Sequence, residues 1–334
     1  MKPDLSVVVP IRNEERYIGS TLRQLMEQRV GGYNIEFIVV DGMSTDQTTT
    51  IVREIESQFP DKIVTLLKNK KLLSSAARNI GVRRFKGKYL LVVDGHVHLP
   101  RSDLLVRYIE LASTSSEKVI GRPQRLTPPG ISTFQRFVAQ VRSSKVGHSG
   151  ESYIYSQEAA LVSPLSVAVM YDREIFQDVG LFDEEFDAAE DLEFNYRLEK
   201  AGYQCLIHPD LEVLYYPREN LLALFKQMRR YGMGRARFVR KHPERLRVEV
   251  FVPMLFAIAM LTIAFASFLS RTALYVGFVA AFVYSLVVVS TNVCLIRKHS
   301  FRGLMAVPIA LAIHIGLGTG LVEGFLKRTK KKRS

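Results

Sequence analysis

The chain has 334 residues, long enough for two domains or for one domain with an appendage, and its formal net charge is +13. This excess of lysine and arginine predicts acidic partners, namely nucleotide phosphates, anionic lipids or nucleic acids. Only two cysteines occur, Cys205 and Cys294, which argues against a disulfide framework and for a reducing compartment.

The first segment, MKPDLSVVVPIRNEE, does not have the pattern of a secretory signal. Its apolar run is five residues at most, and a proline and charges follow at once. A signal peptide needs a longer apolar core. We therefore expect the N-terminal part to stay in the cytoplasm.

Strand and helix patterns alternate through the first 100 residues. Apolar, β-branched runs typical of buried parallel strands are separated by segments with helical spacing. The predicted strands are LSVVV at 5–9, IEFIVVDG at 35–42, KIVTLLKN at 62–69 and YLLVVDG at 89–95. Ser44 or Thr45 is a predicted cap of the second helix. The alternation predicts an α/β fold with a doubly wound, mainly parallel sheet.

Polar residues follow three of these strands, where each strand ends. They are Pro10, Arg12, Asn13 and Glu14 after the first, Asp41 to Asp46 after the second, and Asp94 to His98 after the fourth. Each group alone is typical of a turn, but open α/β folds bind ligands at the carboxyl ends of their strands. Together they predict a pocket for a ribose, a base edge and a divalent cation. The absence of GxGxxG and Walker A sequences argues against a standard dinucleotide or NTPase site.

The segment YLLVVDGHVHLP at 89–100 places Asp94, His96 and His98 at the exit of a buried strand. The three residues would share one face of a strand, but Gly95 indicates that the strand has already ended. Spacing alone leaves open both a polar turn and a metal or phosphate site. For His98 it favours a surface turn residue.

The C-terminal part consists of three long apolar runs. They cover Val250 to Leu269, Ala273 to Ile296 and Leu304 to Leu326; the first two carry no charge, and the third is apolar apart from His314 and Glu323. A helix of about 20 residues is about 30 Å long, which is the thickness of the hydrocarbon core of a bilayer. We predict a membrane domain with two or three spans.

The orientation of these runs depends on the charges between them. The link SRT makes the first two runs a tight hairpin, and Arg297, Lys298 and Arg302 suit a cytoplasmic loop. Three full crossings would put the basic tail at 327–334 outside, against the positive-inside tendency. Either the third segment is re-entrant or interfacial, or the rule fails here. Its end, GLGTGLVEGF, is compatible with a broken or partly buried helix.

Six motifs resemble those of the family 2 glycosyltransferases, which have the GT-A fold. They are VVVPIRNEERYI, VVDGMSTDQT, AARNIGV, VVDGHVHL, AAEDLEFNYRLEKAGY and QMRRYGMGR, in family order over residues 5 to about 237. The DGH form, the late YGMGR and the apolar C-terminal runs are similar to membrane-associated enzymes of exopolysaccharide assembly, the succinoglycan-type glucosyltransferases.

This resemblance implies a nucleotide-sugar site at the strand exits. Arg78 would approach the diphosphate or the base, and Asp41 would accept hydrogen bonds from the uracil or ribose. The residues implied to border the nucleotide are Pro10, Arg12, Asn13 and Glu14, with Ser44, Asp46 and Asp94 in the adjoining motifs.

The resemblance also places Asp94 and His96 at the metal-binding DxD motif of the family, with His96 in place of the second aspartate. An imidazole binds Mn²⁺ well and the harder Mg²⁺ poorly, so the implied cofactor is a divalent cation, with Mn²⁺ favoured over Mg²⁺.

The resemblance implies Asp191 as the base that takes the proton of the acceptor hydroxyl, with Glu190 beside it. From the sequence alone, the first turn of a helix explains this acidic pair equally well, because acidic residues there stabilise the helix dipole. If the displacement is in line, the anomeric configuration inverts. Gln227, Arg230 and Tyr231 resemble the QxxRW motif and would lie at the acceptor and the diphosphate. The change from Trp to Tyr argues against a processive polymerase.

Residues 218–249 contain ten Lys or Arg against three Glu. This segment is either a solvated basic face or an amphipathic juxtamembrane segment that binds anionic lipid, and its position favours the latter. The predicted order is a cytoplasmic GT-A catalytic domain at 1–217, this basic segment, a membrane domain at 250–326 and a basic tail at 327–334. Residues 121–165 are interpreted as an acceptor-side loop, with His148 at its surface.

The predicted function is that of a multi-pass, membrane-anchored inverting glycosyltransferase with its catalytic domain on the cytoplasmic side. It would move a hexose from a nucleotide-diphosphate sugar, with a UDP-sugar favoured, to a lipid-linked saccharide. The alternatives are a polyprenyl-phosphate sugar synthase and an inactive, membrane-tethered nucleotide-sugar sensor. A nucleic-acid partner is not predicted, because the basic residues concentrate beside the apolar runs and no recognition module occurs.

Overall fold

The computed structural model describes residues 2–144, 153–293, 297 and 300–327. The chain forms two compact units. The first comprises Met1–Gly130 and Glu151–Tyr216, and the second comprises Ile131–Gly150 and Pro217–Ser334. The predictions for His148, Cys294, Lys298 and the tail beyond residue 327 lie outside the described residues.

The first unit is an α/β unit with eleven strands and six helices among its described residues. Its strands are β1 Leu5–Ile11, β2 Ile35–Asp41, β3 Ile63–Lys68, β4 Tyr89–Val92, β5 Val97–His98, β6 Val119–Gly121, β7 Gln124–Arg125, β8 Ala160–Val162, β9 Ala168–Asp172, β10 Cys205–Ile207 and β11 Val213–Tyr215. Its helices are α1 Ile18–Met26, α2 Thr48–Gln58, α3 Ser74–Arg84, α4 Leu104–Thr114, α6 Ile175–Asp178 and α7 Glu190–Lys200.

Eight of these strands form one sheet in the order β3-β2-β1-β4-β9-β6-β10-β8, as far as the described residues show. The pairs β1–β2, β1–β4 and β2–β3 are parallel, whereas β9 is antiparallel to both β4 and β6. The central strands are buried along their length, as expected for β-branched runs covered by helices on both faces. The predicted α/β class with a mainly parallel sheet is confirmed.

One close contact fixes helix α3 against this sheet. A Cβ atom added at Gly81 would lie 2.4 Å from Cγ1 of Val8, so only glycine allows the helix to approach β1 this closely. The contact holds the helix, and the arginine that it carries at position 78, at the exit of the strand.

One local prediction was wrong. The capping prediction for Ser44 or Thr45 fails, because the residue before α2 is Gln47 and its side chain makes no capping hydrogen bond. The Ser44 hydroxyl instead donates to Asp41, and the Thr45 amide donates to Asn13.

The described part of the second unit is helical. Its helices are α5 Thr133–Ser143, α8 Leu221–Lys241, α9 Phe251–Ala266, α10 Arg271–Thr291 and α11 Ala306–Leu326. Helix α5 lies within the stretch interpreted as a loop, and Ser132 and Gln135 cap it reciprocally.

Within the described ranges, three helical segments are long and apolar enough to cross a membrane: Val248–Ala266, Arg271–Thr291 and Phe301–Leu326. They coincide with the three apolar runs of the sequence. The third contains α11, which is a continuous helix of 21 residues, so the break suggested by its glycines does not occur. Among these three segments the third is the one largely covered by protein, with 44% of its most apolar window buried against 6% for each of the others.

Candidate functional site

The polar groups predicted from the strand exits lie at one edge of the first unit. Strands β2, β1 and β4 are adjacent and parallel, so their carboxyl ends point the same way. Pro10 is still within β1, paired in register with Val40, and Arg12 is exposed just beyond it. The topology therefore brings together groups as far apart in the chain as Arg12 and Asp94.

A strand-exit cluster, defined here as Asn13, Asp41, Ser44, Thr45 and Asp46, connects the loops after β1 and β2. The buried carboxylate of Asp41 accepts a hydrogen bond of 2.6 Å from the Ser44 hydroxyl and two longer ones from the Ser44 amide. The Ser44 hydroxyl in turn accepts from the Asn13 amide at 2.8 Å, and the Asn13 side-chain oxygen accepts from the Thr45 amide at 2.9 Å. The two loops are thus held as one hydrogen-bonded frame.

Asp46 extends this frame to helix α2. Its carboxylate accepts from the amides of Thr48 and Glu15. Burial opposes ionisation of Asp46, but the hydrogen bonds from Thr48 outweigh it, so the pKa of Asp46 lies below its usual value. Asn13 and Met43 have φ angles of 54° and 57°, the left-handed region that costs a non-glycine residue about 1 kcal/mol or more. The hydrogen bonds stabilise this strained backbone.

A second group, the charged cluster, is defined by Arg78, Asp94, Glu190 and Asp191. Arg78 projects from α3, and its Nη2 lies 3.4 Å from Oε1 of Glu190 and 3.9 Å from Oδ1 of Asp94. The side chains of Arg78 and Glu190 are only 11% and 8% exposed, whereas that of Asp94 is 31% exposed. The Nε of Arg78 makes no hydrogen bond with any residue that the structure describes. Arg78 therefore has one buried N–H that no described residue satisfies.

Helix α7 supplies the acidic pair of this cluster. The helix begins after Ala189, whose φ of 61° turns the chain sharply, and Glu190, Asp191 and Glu193 all lie in its first turn. Acidic groups at this position interact favourably with the helix dipole. The helix-dipole explanation of Glu190 and Asp191 therefore agrees with the structure. The same turn presents Glu190 to Arg78, so the pair also belongs to the cluster.

The charges of the cluster shift the pKa values of its members. Burial disfavours the charged form of Arg78, but the carboxylates of Glu190, Asp191 and Asp94 outweigh it, so the pKa of Arg78 is raised. Asp191 is exposed to solvent, but the protein around it still disfavours its charged form. This desolvation, followed by the charge of Glu190, raises the pKa of Asp191, and Arg78 offsets only part of the rise.

His96 lies beside the cluster, after β4. Its Nδ1 is 2.9 Å from Oε1 of Glu14, and its ring packs edge-on against Tyr215 with centroids 4.6 Å apart. The short distance to Glu14 does not have hydrogen-bond geometry, and neither buried ring nitrogen makes a hydrogen bond with a residue in the described ranges. Both ring nitrogens of His96 thus lack a hydrogen bond to any described residue, although a Glu14 carboxylate oxygen lies close to Nδ1.

His98 is not the surface turn residue that spacing favoured. It forms part of strand β5, where it pairs with Leu214 of β11, and it is partly buried. Burial lowers the pKa of His98. The chain resumes an extended conformation after Gly95. This stretch therefore contains two strands, β4 and β5, rather than one strand followed by a turn.

One residue near the site was not found from the sequence. Arg122 is buried after β6, and its Nη1 donates to the carbonyl of Val92, two residues before Asp94. For Glu14, which the sequence did single out, the structure adds a contact with His96. A buried arginine after a strand is a weak signal, and only the sheet order shows that β6 lies near β4.

Gln227, Arg230 and Tyr231 lie on α8, in the second unit. Gln227 is buried, and its Nε2 donates to the hydroxyl of Tyr231 one helical turn later, at 3.3 Å. Tyr231 is 38% exposed. The tyrosine hydroxyl thus makes a contact with Gln227 within the motif.

Comparison with known proteins gives a family and a fold. The family described as "Glycosyltransferase like family 2" matches residues 3–234. The succinoglycan biosynthesis protein ExoA of Rhizobium meliloti is 33% identical over 267 residues, which are 79% of this chain and 77% of that protein.

A second relative, from Methanococcus voltae, is a dolichyl N-acetyl-alpha-D-glucosaminyl phosphate 3-beta-D-2,3-diacetamido-2,3-dideoxy-beta-D-glucuronosyltransferase. It is 25% identical over 330 residues and 97% of each chain. Among solved structures, the mannosyltransferase PcManGT from Pyrobaculum calidifontis, in complex with GDP-Man and Mn²⁺, has a TM-score of 0.56 at 20% identity. The match covers 94% of this chain and 87% of that one. The resemblance read from the motifs is confirmed: the chain belongs to glycosyltransferase family 2, has the GT-A fold and is an enzyme of glycan biosynthesis.

Proposed function

We propose that the chain is a membrane-anchored, inverting glycosyltransferase. It moves a hexose from a nucleotide-diphosphate sugar, with UDP-sugars the first candidates, to a lipid-linked saccharide. The observation that carries the proposal is the charged cluster, in which an accessible carboxylate with a raised pKa, Asp191, adjoins the buried guanidinium of Arg78. A base and an anion-binding cation side by side are what sugar transfer from a diphosphate donor requires.

In the proposed reaction, Asp191 acts as the base. Its carboxylate takes the proton of the acceptor hydroxyl while the acceptor oxygen bonds to the anomeric carbon. The bond between that carbon and the donor diphosphate breaks, and the nucleotide diphosphate leaves with the electron pair. In-line attack inverts the configuration. Arg78, with its remaining N–H donor, stabilises the charge that develops on the leaving diphosphate.

A divalent cation would be held by Asp94 and His96. The donor set fits, because the Asp94 carboxylate is partly exposed and both nitrogens of His96 lack hydrogen bonds to described residues. Among the described residues, no group of three or more His, Cys, Asp or Glu side chains could hold a metal ion by itself. Diphosphate oxygens and water would therefore complete the coordination. The bound cation would neutralise charge on the diphosphate. The Mn²⁺ in the PcManGT complex supports a cation, and the imidazole favours Mn²⁺ over Mg²⁺.

The strand-exit cluster is proposed to hold the nucleoside. Ser44 occupies only part of the Asp41 carboxylate, which has about four acceptor positions, so Asp41 can also accept from a base or ribose. GDP-Man in the PcManGT complex shows that a fold neighbour takes a nucleotide sugar. The other residues proposed to border the donor are Pro10, Arg12, Asn13, Glu14 and Asp46.

Membrane anchoring is proposed from the three apolar helical segments, with the catalytic domain at 1–217 on the cytoplasmic side. The basic segment at 218–249 would bind anionic lipid, and a lipid-linked acceptor would be reached from there. The name of the Methanococcus voltae relative describes a transferase that acts on a dolichyl-phosphate-linked sugar, which supports a lipid-linked acceptor. Gln227, Arg230 and Tyr231 are proposed to lie at the acceptor and the diphosphate.

The test is turnover of a panel of UDP- and GDP-sugars by the full chain in lipid, with Mn²⁺, Mg²⁺ or EDTA. Nucleotide diphosphate release and transfer to a lipid-linked saccharide are both followed. We expect Asp191→Asn to lower transfer by about 10²- to 10⁴-fold, the usual contribution of a general base. The control Asp178→Asn, which removes an exposed carboxylate elsewhere in the first unit, should leave transfer near the wild-type rate.

Other outcomes select between the functions that the sequence left open. A small loss in Asp191→Asn with polyprenyl phosphate as acceptor favours a polyprenyl-phosphate sugar synthase, because a phosphate nucleophile is already anionic. Nucleotide binding without turnover of any donor contradicts the enzymatic proposal and favours a nucleotide-sugar sensor.

A further inference from the structure

The basic helix α8 and the third apolar helix α11 run side by side in the same direction. Near their starts, Leu224 and Met228 share a buried cluster with Ile309 and Ile313. Near their ends, the guanidinium of Arg240 donates to the carbonyl oxygens of Gly324 and Lys327. Both helices have 21 residues, so they are paired along their whole length.

Glycines bring the two backbones into direct contact. A Cβ atom added at Gly232 would lie 2.2 Å from the carbonyl oxygen of Leu317, and one at Gly320 would lie 2.0 Å from that of Arg229. A Cβ at Gly324 would lie 2.6 Å from the Cβ of Ala236. No side chain separates the helices at these positions, so α8 and α11 must lie at nearly the same depth in any membrane.

Helix α8 is too highly charged to lie in the hydrocarbon core of a membrane. Its 21 residues include seven lysines and arginines, and charges in the bilayer core are strongly unfavourable. The one carboxylate of α11, Glu323, pairs with Arg229 of α8 and with Lys327. The one acidic side chain of α11 is therefore paired with basic side chains of the protein and does not face lipid alone.

Helices α9 and α10 differ from α11 in what they expose. Large apolar side chains along both are exposed, including Leu261, Phe265, Phe278 and Phe282, as expected for a hairpin surrounded by lipid tails.

Helix α11 crosses this hairpin over the first part of α9 and the second half of α10. A Cβ at Gly318 would lie 2.1 Å from the carbonyl oxygen of Pro253 and 2.5 Å from the Cβ of Ala257, and His314 contacts Tyr284, in the second half of α10, at 3.0 Å. The start of α9 and the end of α10 are the same end of a hairpin, and α9 follows α8 in the chain.

We infer that α11 does not cross the bilayer but lies in its interface, alongside α8 and across the end of the hairpin where α9 begins and α10 ends. Its surface partner is the boundary between headgroups and acyl chains, where amphipathic helices lie about 5–10 Å deep. The chain then crosses the membrane twice, so the end of α11 lies on the same side of the membrane as α8. The inference rests on the membrane anchoring proposed above.

Cysteine accessibility tests this topology in the full-length chain. All variants are made in the Cys294→Ser protein. Its one remaining cysteine, Cys205, is fully buried and should not react with the label. Single cysteines are placed by Ser270→Cys between α9 and α10, by Glu244→Cys after α8 and by Ser334→Cys in the tail. We expect a membrane-impermeant maleimide to label position 270 on intact cells, and positions 244 and 334 only after lysis. Labelling of both 270 and 334 on intact cells overturns the inference and establishes three crossings. If none of the three labels, the hairpin does not cross and the anchoring itself fails.

A cross-link tests the pairing independently of the topology. Ala236→Cys with Gly324→Cys places two Cβ atoms 2.6 Å apart, closer than the roughly 3.5–4.5 Å that a disulfide normally spans, so the bond forms once the two helices move slightly apart. We expect oxidation in membranes to convert most of this variant to the cross-linked form. The control Ala236→Cys with Gly277→Cys, in the middle of the hairpin, should stay uncross-linked. Equal cross-linking of the two variants, or none in either, contradicts the paired arrangement.

Discussion

The strand-exit cluster and the charged cluster lie at the same edge of the same sheet, but their polar groups are paired differently. In the strand-exit cluster, Asp41, Ser44 and Asn13 satisfy one another through hydrogen bonds of 2.6–2.9 Å. In the charged cluster, one guanidinium faces three carboxylates, and the distances of 3.4 and 3.9 Å leave room around it. The first group is held in place by its own hydrogen bonds, whereas the second contains a buried N–H, the Nε of Arg78, that no described residue satisfies.

This difference indicates a division of labour. A frame held by its own hydrogen bonds keeps one shape without a ligand, and the acceptor positions left on Asp41 are the ones proposed for the nucleoside. A buried arginine with a free donor and a carboxylate with a raised pKa carry a cost in the empty protein that a bound diphosphate and an acceptor hydroxyl can offset. Four substitutions test how far this comparison holds.

The largest effect is expected from Arg78→Gln. The change leaves buried Glu190 without its cation, and breaking a buried ion pair by removing one partner costs about 3–5 kcal/mol in the free energy of unfolding. Denaturant unfolding measures it. Arg83→Gln is the matched control, because Arg83 lies on the same helix with its side chain 59% exposed and should change stability by about 0.5 kcal/mol or less. Equal effects of the two changes would show that the charged cluster is not held by Arg78.

Ser44→Ala should have a smaller effect, confined to the strand-exit cluster. The change removes the hydroxyl that donates to Asp41 and accepts from Asn13, at a cost of about 1–2 kcal/mol in unfolding free energy. Because the loop after β2 loosens, the KM for the donor should rise while kcat changes less. The control Ser57→Ala removes an exposed hydroxyl at the end of α2 and should change neither the unfolding free energy nor the KM for the donor. A fall in kcat at unchanged KM would contradict the framing role.

His96→Asp replaces the imidazole beside Asp94 with a second carboxylate. Because Mg²⁺ prefers oxygen ligands, the ratio of the rate with Mn²⁺ to the rate with Mg²⁺ should fall by about tenfold, the lower end of the usual effect on metal affinity. Steady-state rates at saturating metal and metal titrations both measure this ratio. His98→Asn, in β5, is the control and should leave the ratio unchanged. An unchanged ratio in His96→Asp would remove His96 from the proposed ligands.

The smallest effect expected is a shift of the acid limb of the pH–rate profile. A base works when ionised, so the raised pKa of Asp191 places the loss of activity at a higher pH than for an ordinary aspartate. Glu190→Gln removes a charge that raises this pKa and frees Arg78, which lowers it. Both effects move the acid limb of kcat/KM to lower pH, by up to about one unit. A limb that stays in place, or moves to higher pH, would show that Asp191 is not the titrating group.

The sequence alone determined the first four strands and the order of the site motifs. β-Branched runs at 5–9 and 35–41 fold as buried parallel strands because their composition suits no other environment. The polar residues that follow them meet at one edge because parallel strands share a direction. The apolar C-terminal runs were equally clear, since length and hydropathy are local properties.

Tertiary structure decided which polar groups pair and which helices touch. Ser44 looked like a helix cap but donates to Asp41, because the loops after β1 and β2 fold against each other. His96 meets Glu14, 82 residues earlier, only because β1 and β4 are neighbours. The glycines of α11 looked like a break in a span, yet they are the surface on which α8 packs. Such contacts join residues far apart in the chain, and no local periodicity records them.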